Sequence, residues 1–288
     1  LEQTQIVVHE GRLRWNDNLR GAPELTLANL NFRLRNQARH HQFGLQATPP
    51  AALAAPIDVR ADFVHPHFSR NIADVMRWKG VLFAHLPNTD LAAWRAYADY
   101  PIEVMQGAGS VRAWLNFNQA RIAGFTADLT LSDVSARLRK DLQPLNLAQV
   151  RGRVFAREEF DAAATVATAG TPALGARGHT FSVSDFSLTT EDGLRLPATT
   201  LSESYVPGKN GKPDKTSIRA QYMDLQTLVN FAERLPLTPA QLQMLADFAP
   251  RGVLRNFSAE WQGAYPEIAA YKVKGQFAGL SLAAQPGR

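Results

Sequence analysis

The chain has 288 residues, 45% of them hydrophobic and 20% charged, and no cysteine. Such a composition supports a packed fold rather than a disordered chain, and it excludes disulfide scaffolds, zinc-thiolate sites, iron–sulfur clusters and thiol nucleophiles. The 31 basic and 26 acidic residues leave a net charge of +5, scattered rather than blocked, which tolerates an anionic partner without demanding one.

Glu10-Gly11 marks a first turn. Leu30, Phe32 and Leu34 then point one way, with Asn31, Arg33 and Arg35 pointing the other. Ile57, Val59, Ala61 and Phe63 alternate in the same manner with Asp58, Arg60 and Asp62. Asp90 caps a predicted helix near 90–100, carrying Leu91, Trp94 and Ala98 and stopping before Pro101. Val111, Ala113, Leu115 and Phe117 form a third alternating set, and Asn118-Gln119-Ala120 a turn. Ala123, Phe125, Ala127, Leu129 and Leu131 form a fourth, opposite Thr126, Asp128 and Thr130. Period-2 alternation of this kind reads as antiparallel strand with one dry and one wet face.

Ala162 to Gly178 is rich in Ala, Thr and Gly and reads as a loop or hinge. Beyond it, Phe181 and Val183 alternate, and Glu191-Asp192-Gly193 and Lys209-Asn-Gly-Lys-Pro213 are turns. Asp224 caps a helix near 224–235 with Leu225, Leu228, Val229, Ala232 and Leu235 on one stripe. Thr238-Pro-Ala-Gln241 is a capping box opening a helix near 238–249. The last strands carry Val253, Arg255, Phe257, Ala259 and Trp261, then Tyr271, Val273, Gly275 and Phe277.

The order strand, Asp-Leu, helix, proline, glycine-opened strand occurs twice, around Asp90 and around Asp224. The expected organisation is therefore a first β module over 1–160, a hinge over 161–177 and a second β module over 178–288. The expected fold is mainly β, an elongated, curved antiparallel sheet built from two repeated modules with short helical inserts.

The sequence carries little that points to chemistry. Gly208-Lys-Asn-Gly-Lys-Pro213 has the wrong spacing for a phosphate loop, and Gly107-Ala-Gly-Ser110 lacks the second glycine of a nucleophile elbow. The histidine pairs His40-His41 and His65-Pro-His67 have no carboxylate or third histidine beside them in sequence. Glu158, Glu159 and Asp161 read as solvated acids, and the basic residues alternate outward rather than cluster for nucleic acid. No catalytic residue, metal ligand, cofactor or nucleic-acid partner is expected.

What the residues leave over is one-faced apolar strand with few helices to cover it. Either two sheets pack on each other, or the dry face is a groove that something fills. An acyl chain of about fifteen methylenes costs on the order of 12 kcal/mol to expose to water, so a carrier of such chains needs a continuous dry lining. Leu115, Phe117, Phe125, Leu129, Phe257 and Phe277 are the expected wall of that groove.

Trp78-Lys-Gly-Val-Leu-Phe83, Asp90-Leu-Ala-Ala-Trp94 and Gly107-Ala-Gly-Ser-Val-Arg-Ala-Trp-Leu115 resemble the YhdP family of AsmA-like proteins. So do Phe125 to Leu131, Asp133 to Leu138, Leu142 to Leu147, Gly152, Leu188 to Pro197, Pro250 to Leu254 and Trp261 to Gly263. The resemblance implies a periplasmic β-groove that carries phospholipid between the inner and outer membranes of a Gram-negative envelope. It also implies an inner-membrane anchor elsewhere in a longer chain, envelope protein partners, and no catalytic residues. No stretch of this chain approaches the ~20 apolar residues of a spanning helix. Two rivals to the lipid conduit stay open: a periplasmic β-scaffold binding protein or polysaccharide partners, and an enzyme whose site is assembled from distant residues.

Overall fold

The computed structural model describes residues 3–66, 77–100, 102–119, 121–158, 178–208, 211–235, 237, 239–263 and 267–283. Among the described residues 66% are strand and 10% helix. The strands are β1 (Gln5–Trp15), β2 (Leu25–Gln37), β3 (His40–Thr48), β4 (Ile57–Val64), β5 (Lys79–Asp90), β6 (Glu103–Asn118) and β7 (Arg121–Arg137). They continue as β8 (Leu145–Glu158), β9 (His179–Thr190), β10 (Arg195–Val206), β11 (Lys215–Asp224), β12 (Arg251–Gln262) and β13 (Ala270–Ser281). The helices are α1 (Leu91–Trp94), α2 (Leu225–Phe231) and α3 (Pro239–Phe248). Strand order follows sequence order from β1 to β13. The expected antiparallel β fold with short helical inserts is the fold the chain adopts.

Two compact units divide the chain, Leu1–Ala136 and Arg137–Arg288. The segment read as a hinge, 161–177, lies outside the described residues. The strands on either side of it, β8 and β9, are hydrogen-bonded neighbours.

Each unit contains the same short sequence of elements. β5 runs into α1, whose N-cap Asp90 accepts a hydrogen bond from the Ala93 N–H at 3.0 Å. β11 runs into α2, whose N-cap Asp224 accepts from the Thr227 N–H at 2.9 Å. Each carboxylate satisfies an amide that the first helical turn leaves without a partner. α1 is shorter than expected: only one turn forms, and the Tyr100 hydroxyl folds back to donate to the Leu91 carbonyl at 3.1 Å. The helix expected after Thr238 forms as α3; Thr238 itself lies outside the described residues.

The strands carry bulges that period-2 reading does not anticipate. Asn29, Asn88, Asp185 and Asn256 have φ between 45° and 49°, and Asp133 has φ 51°. Four of these positions coincide with register shifts, in β2, β5, β9 and β12. Asn and Asp are the side chains that occupy the left-handed region at least cost, and a residue there lets one strand carry an extra residue against its neighbour. The bulge at Asn256 corrects the expected set Val253, Arg255, Phe257: alternation breaks there, and Leu254 rather than Val253 is buried, at 5% exposure.

Candidate functional site

In the first unit, cross-strand register assembles the dry face into rows. One row runs Ile6, Leu34, Phe43, Ala61, Leu82, Leu115 across β1 to β6. The next runs Val8, Phe32, Leu45, Val59, Ala84, Ala113 across the same strands. At the usual strand spacing each row is about 24 Å long. The opposite face holds Arg33, Gly44, Arg60, Phe83 and Trp114 in one row and Arg35, Gln42, Asp62, Val81 and Asn116 in another. That face is tied by polar contacts, with Arg60 Nη2 2.6 Å from Asp58 and Gln42 Nε2 2.7 Å from Asp62. It also carries an aromatic pair the sequence reading missed, Phe83 and Trp114, with ring centroids 5.2 Å apart.

The apolar rows are bounded at both strand ends. At one end Leu25, Leu27, Leu30, Ala47, Leu53, Ala54 and Ile57 form a buried cluster, with Trp94 and Tyr97 against it. The Leu53 carbonyl holds this plug together, accepting from Thr89 Oγ1 at 3.1 Å, the Asp90 N–H at 2.9 Å and Trp94 Nε1 at 3.1 Å. At the other end lies the row Asn36, His41, Phe63, Gly80, Phe117. There His41 stacks on Trp78 at 4.4 Å and on His65 at 5.3 Å. Phe63 lies across Gly80, where a Cβ would fall 2.5 Å from its ring. His41 Nδ1 donates to Asn36 Oδ1 at 2.9 Å, and Asn36 Nδ2 donates to the Gln3 carbonyl at 2.7 Å. Burial, with His65 beside it, lowers the His41 imidazole below its ordinary pKa of 6.5.

Between these two ends the apolar side chains are only partly covered. Phe32, Leu34, Phe43, Leu45, Phe63, Leu82, Leu115 and Phe117 are half-buried. Among the described residues Thr89 is the largest side chain less than 2% exposed, and Phe231 is the buried phenylalanine. Two sheets packed face to face would seal such rings away; here one sheet presents them.

The second unit repeats the arrangement with a more polar edge. Val154, Val183, Leu201, Ala220 and Phe257 form an apolar row across β8 to β12. The next row is Ala156, Phe181, Glu203, Ile218, Ala259 and Val273. Glu203 lies there against His179, with Nε2 to Oε2 at 2.9 Å. Tyr205, beside His179, donates its hydroxyl to Asp214 at 2.9 Å.

Of the six residues expected to line a groove, four lie in the first unit and two in the second. Leu115 and Phe117 stand on the dry face of β6, and the Phe117 ring touches Phe63 at 6.1 Å. Phe125 and Leu129 are half-buried on β7, flanking the buried Ala127. Phe257 and Phe277 meet edge to face at 6.5 Å. Phe277 is 50% exposed because β13 ends the strand order, and its neighbours Tyr271 and Val273 are 78% and 48% exposed for the same reason. Of the histidines that lie close in sequence, His41 stacks with His65, and His67 lies outside the described residues.

These features define a meandering β protein in which each unit gathers apolar rows by cross-strand register, with a polar opposite face in the first unit. The family model described as YhdP protein matches residues 1–287, and the chain belongs to the YhdP family. No curated protein and no solved structure matches the chain. Among the described residues no helix is long and apolar enough to cross a membrane.

Proposed function

We propose that this chain is a non-enzymatic lipid-binding conduit segment whose dry sheet face carries phospholipid acyl chains. In this reading it is the periplasmic part of an inner-membrane-anchored protein that passes lipid between the two membranes of a Gram-negative envelope. The observation that supports it most is the pair of apolar rows across β1 to β6. They provide about 24 Å of hydrocarbon contact, and their phenylalanines and leucines are only half-buried. Membership of the YhdP family is consistent with the reading.

The energetics favour a chain lying along the rows. Each buried methylene is worth roughly 0.8 kcal/mol, so even half-cover of a long acyl chain stabilises it against water by several kcal/mol. Contact without directional polar groups favours passage over capture, because sliding one row position exchanges equivalent contacts. Native mass spectrometry of the chain purified from a Gram-negative host tests this. The expected result is copurified phospholipid released on collisional activation. A lipid-free spectrum together with retained binding of a protein or polysaccharide would favour a scaffold instead.

A further inference from the structure

Beyond the His41–Trp78 stack, at the ends of β4 and β5, lies a cavity of about 370 Å³ whose lining includes Arg39, His65, Arg77, Lys79 and Gln119. Among the described residues that line it, three side chains are cations and none is an acid. Among the described residues no carboxylate is ion-paired with Arg39, Arg77 or Lys79. Arg39 is held in place by its Nη1, which donates to the His65 carbonyl at 3.4 Å. His65 is 7% exposed, and its Nε2 is buried without a hydrogen-bond partner. His65 Nδ1 donates to the Pro66 carbonyl at 3.0 Å, so the anion-binding capacity of the cavity lies in its three cations, whose charge no described carboxylate answers.

The second unit supplies an internal comparison. Val206 pairs with Lys215 as Val64 pairs with Lys79, and a cavity of about 340 Å³ there includes Gly208, Lys212, Lys215 and Gln262. At that place Lys215 is already answered. Lys215 Nζ lies 3.5 Å from Glu260, and Asp214 accepts from the Gly208 N–H at 2.7 Å beside the same cavity. One position in the repeat is neutralised, and its counterpart in the first unit is left cationic.

We propose that the cavity of Arg39, Arg77 and Lys79 binds the phosphate of an amphiphile whose hydrocarbon chain lies on the adjacent apolar rows. This rests on the reading of those rows as an acyl track. Phosphate fits because guanidinium and ammonium groups together match an anion whose charge is spread over several oxygens. The tethered chain fits because His65, which lines the cavity, also stacks on His41 at the end of the dry face, while Lys79, paired with Val64, reaches the cavity from the polar side.

The test is equilibrium binding of dodecyl phosphate, dodecyl maltoside and inorganic phosphate to the full chain, at low salt and below micelle formation. Dodecyl phosphate is expected to bind about tenfold or more tighter than dodecyl maltoside, and inorganic phosphate far more weakly than either. The double variant Arg77→Ser with Lys79→Ser, both exposed positions, is expected to abolish that preference and leave dodecyl maltoside binding unchanged. Lys212→Ser with Lys215→Ser is expected to keep it. A preference that survives the first variant overturns the proposal, as does inorganic phosphate binding as tightly as dodecyl phosphate, which would mark a free-phosphate site. Dodecyl maltoside bound without any phosphate preference would sink the headgroup site and leave the track standing. Failure of both detergents to bind would sink both.

Discussion

Phe125 sits half-buried on β7 next to the buried Ala127, and that intermediate burial separates a groove wall from a sealed core. A carboxylate placed there stays within reach of water if the ring borders a groove. Phe125→Asp is then expected to cost about 1–2 kcal/mol of stability, against roughly 4 kcal/mol or more for a charge locked inside a core. Thermal melting with a lipid-crosslinking readout checks it: the variant is expected to fold and lose crosslinking, and an unfolded variant would make Phe125 a core residue. His41 makes a second prediction at this scale. Its folded pKa lies below the unfolded value of 6.5, so the unfolded chain takes up the proton first as pH falls. The stability linked to His41 is therefore complete above about pH 6.5 and is lost on acidification toward the lowered folded value. The protonated ring would also carry an Nε2–H into a place where that atom has no partner. His41→Gln, which can still donate to Asn36, is expected to melt with less dependence on pH between about 7.5 and 5 than the parent chain. An unchanged pH profile would contradict the assignment.

At the scale of elements, the bulges and the caps carry the predictions. Asn256 holds φ 45° inside β12, a conformation that costs a β-branched residue about 1–2 kcal/mol or more. Asn256→Val is expected to destabilise by that amount in chemical denaturation, whereas Asn256→Gly stays close to the parent; equal stability of all three would mean that no bulge forms. Asp90→Ala and Asp224→Ala should each cost about 1 kcal/mol, the usual worth of an N-cap. Alternation in Leu30 to Arg35 and in Ile57 to Phe63 was legible because each strand has one dry and one wet side, and that contrast is written directly into residue type. The caps at Asp90 and Asp224 were legible because they are local. The bulges were not: a lone Asn or Asp inside an alternating run resembles a wet-face residue, and only the paired strand reveals the extra residue. Their one signal is position, as in Leu27-Ala-Asn29-Leu30, where an apolar pair flanks the break. The cluster of His41, His65 and Trp78 was equally hidden, since it joins the ends of three strands far apart in sequence.

For the whole molecule, the consequence of a meander in strict sequence order is that every contact row is built one strand at a time. Dry-face rows persist only while register keeps like with like, and in the first unit they do so through Leu34, Phe43, Ala61, Leu82 and Leu115. The candidate wall was legible in type, as large apolar side chains on alternate positions. It was not legible in extent, because the exposure of Phe277 and the covering of Phe32 by the Leu53 plug depend on strand order and on a loop. The central claim is that acyl chains lie on one face of this sheet and not on the other. A photoreactive phenylalanine analogue placed in turn at Leu115, Asn116, Phe257 and Ser258, in cells labelled with radioactive phosphate, tests it most directly. The account predicts crosslinked phospholipid at Leu115 and Phe257 and none at Asn116 and Ser258. Equal crosslinking at all four positions, or at none, would contradict it.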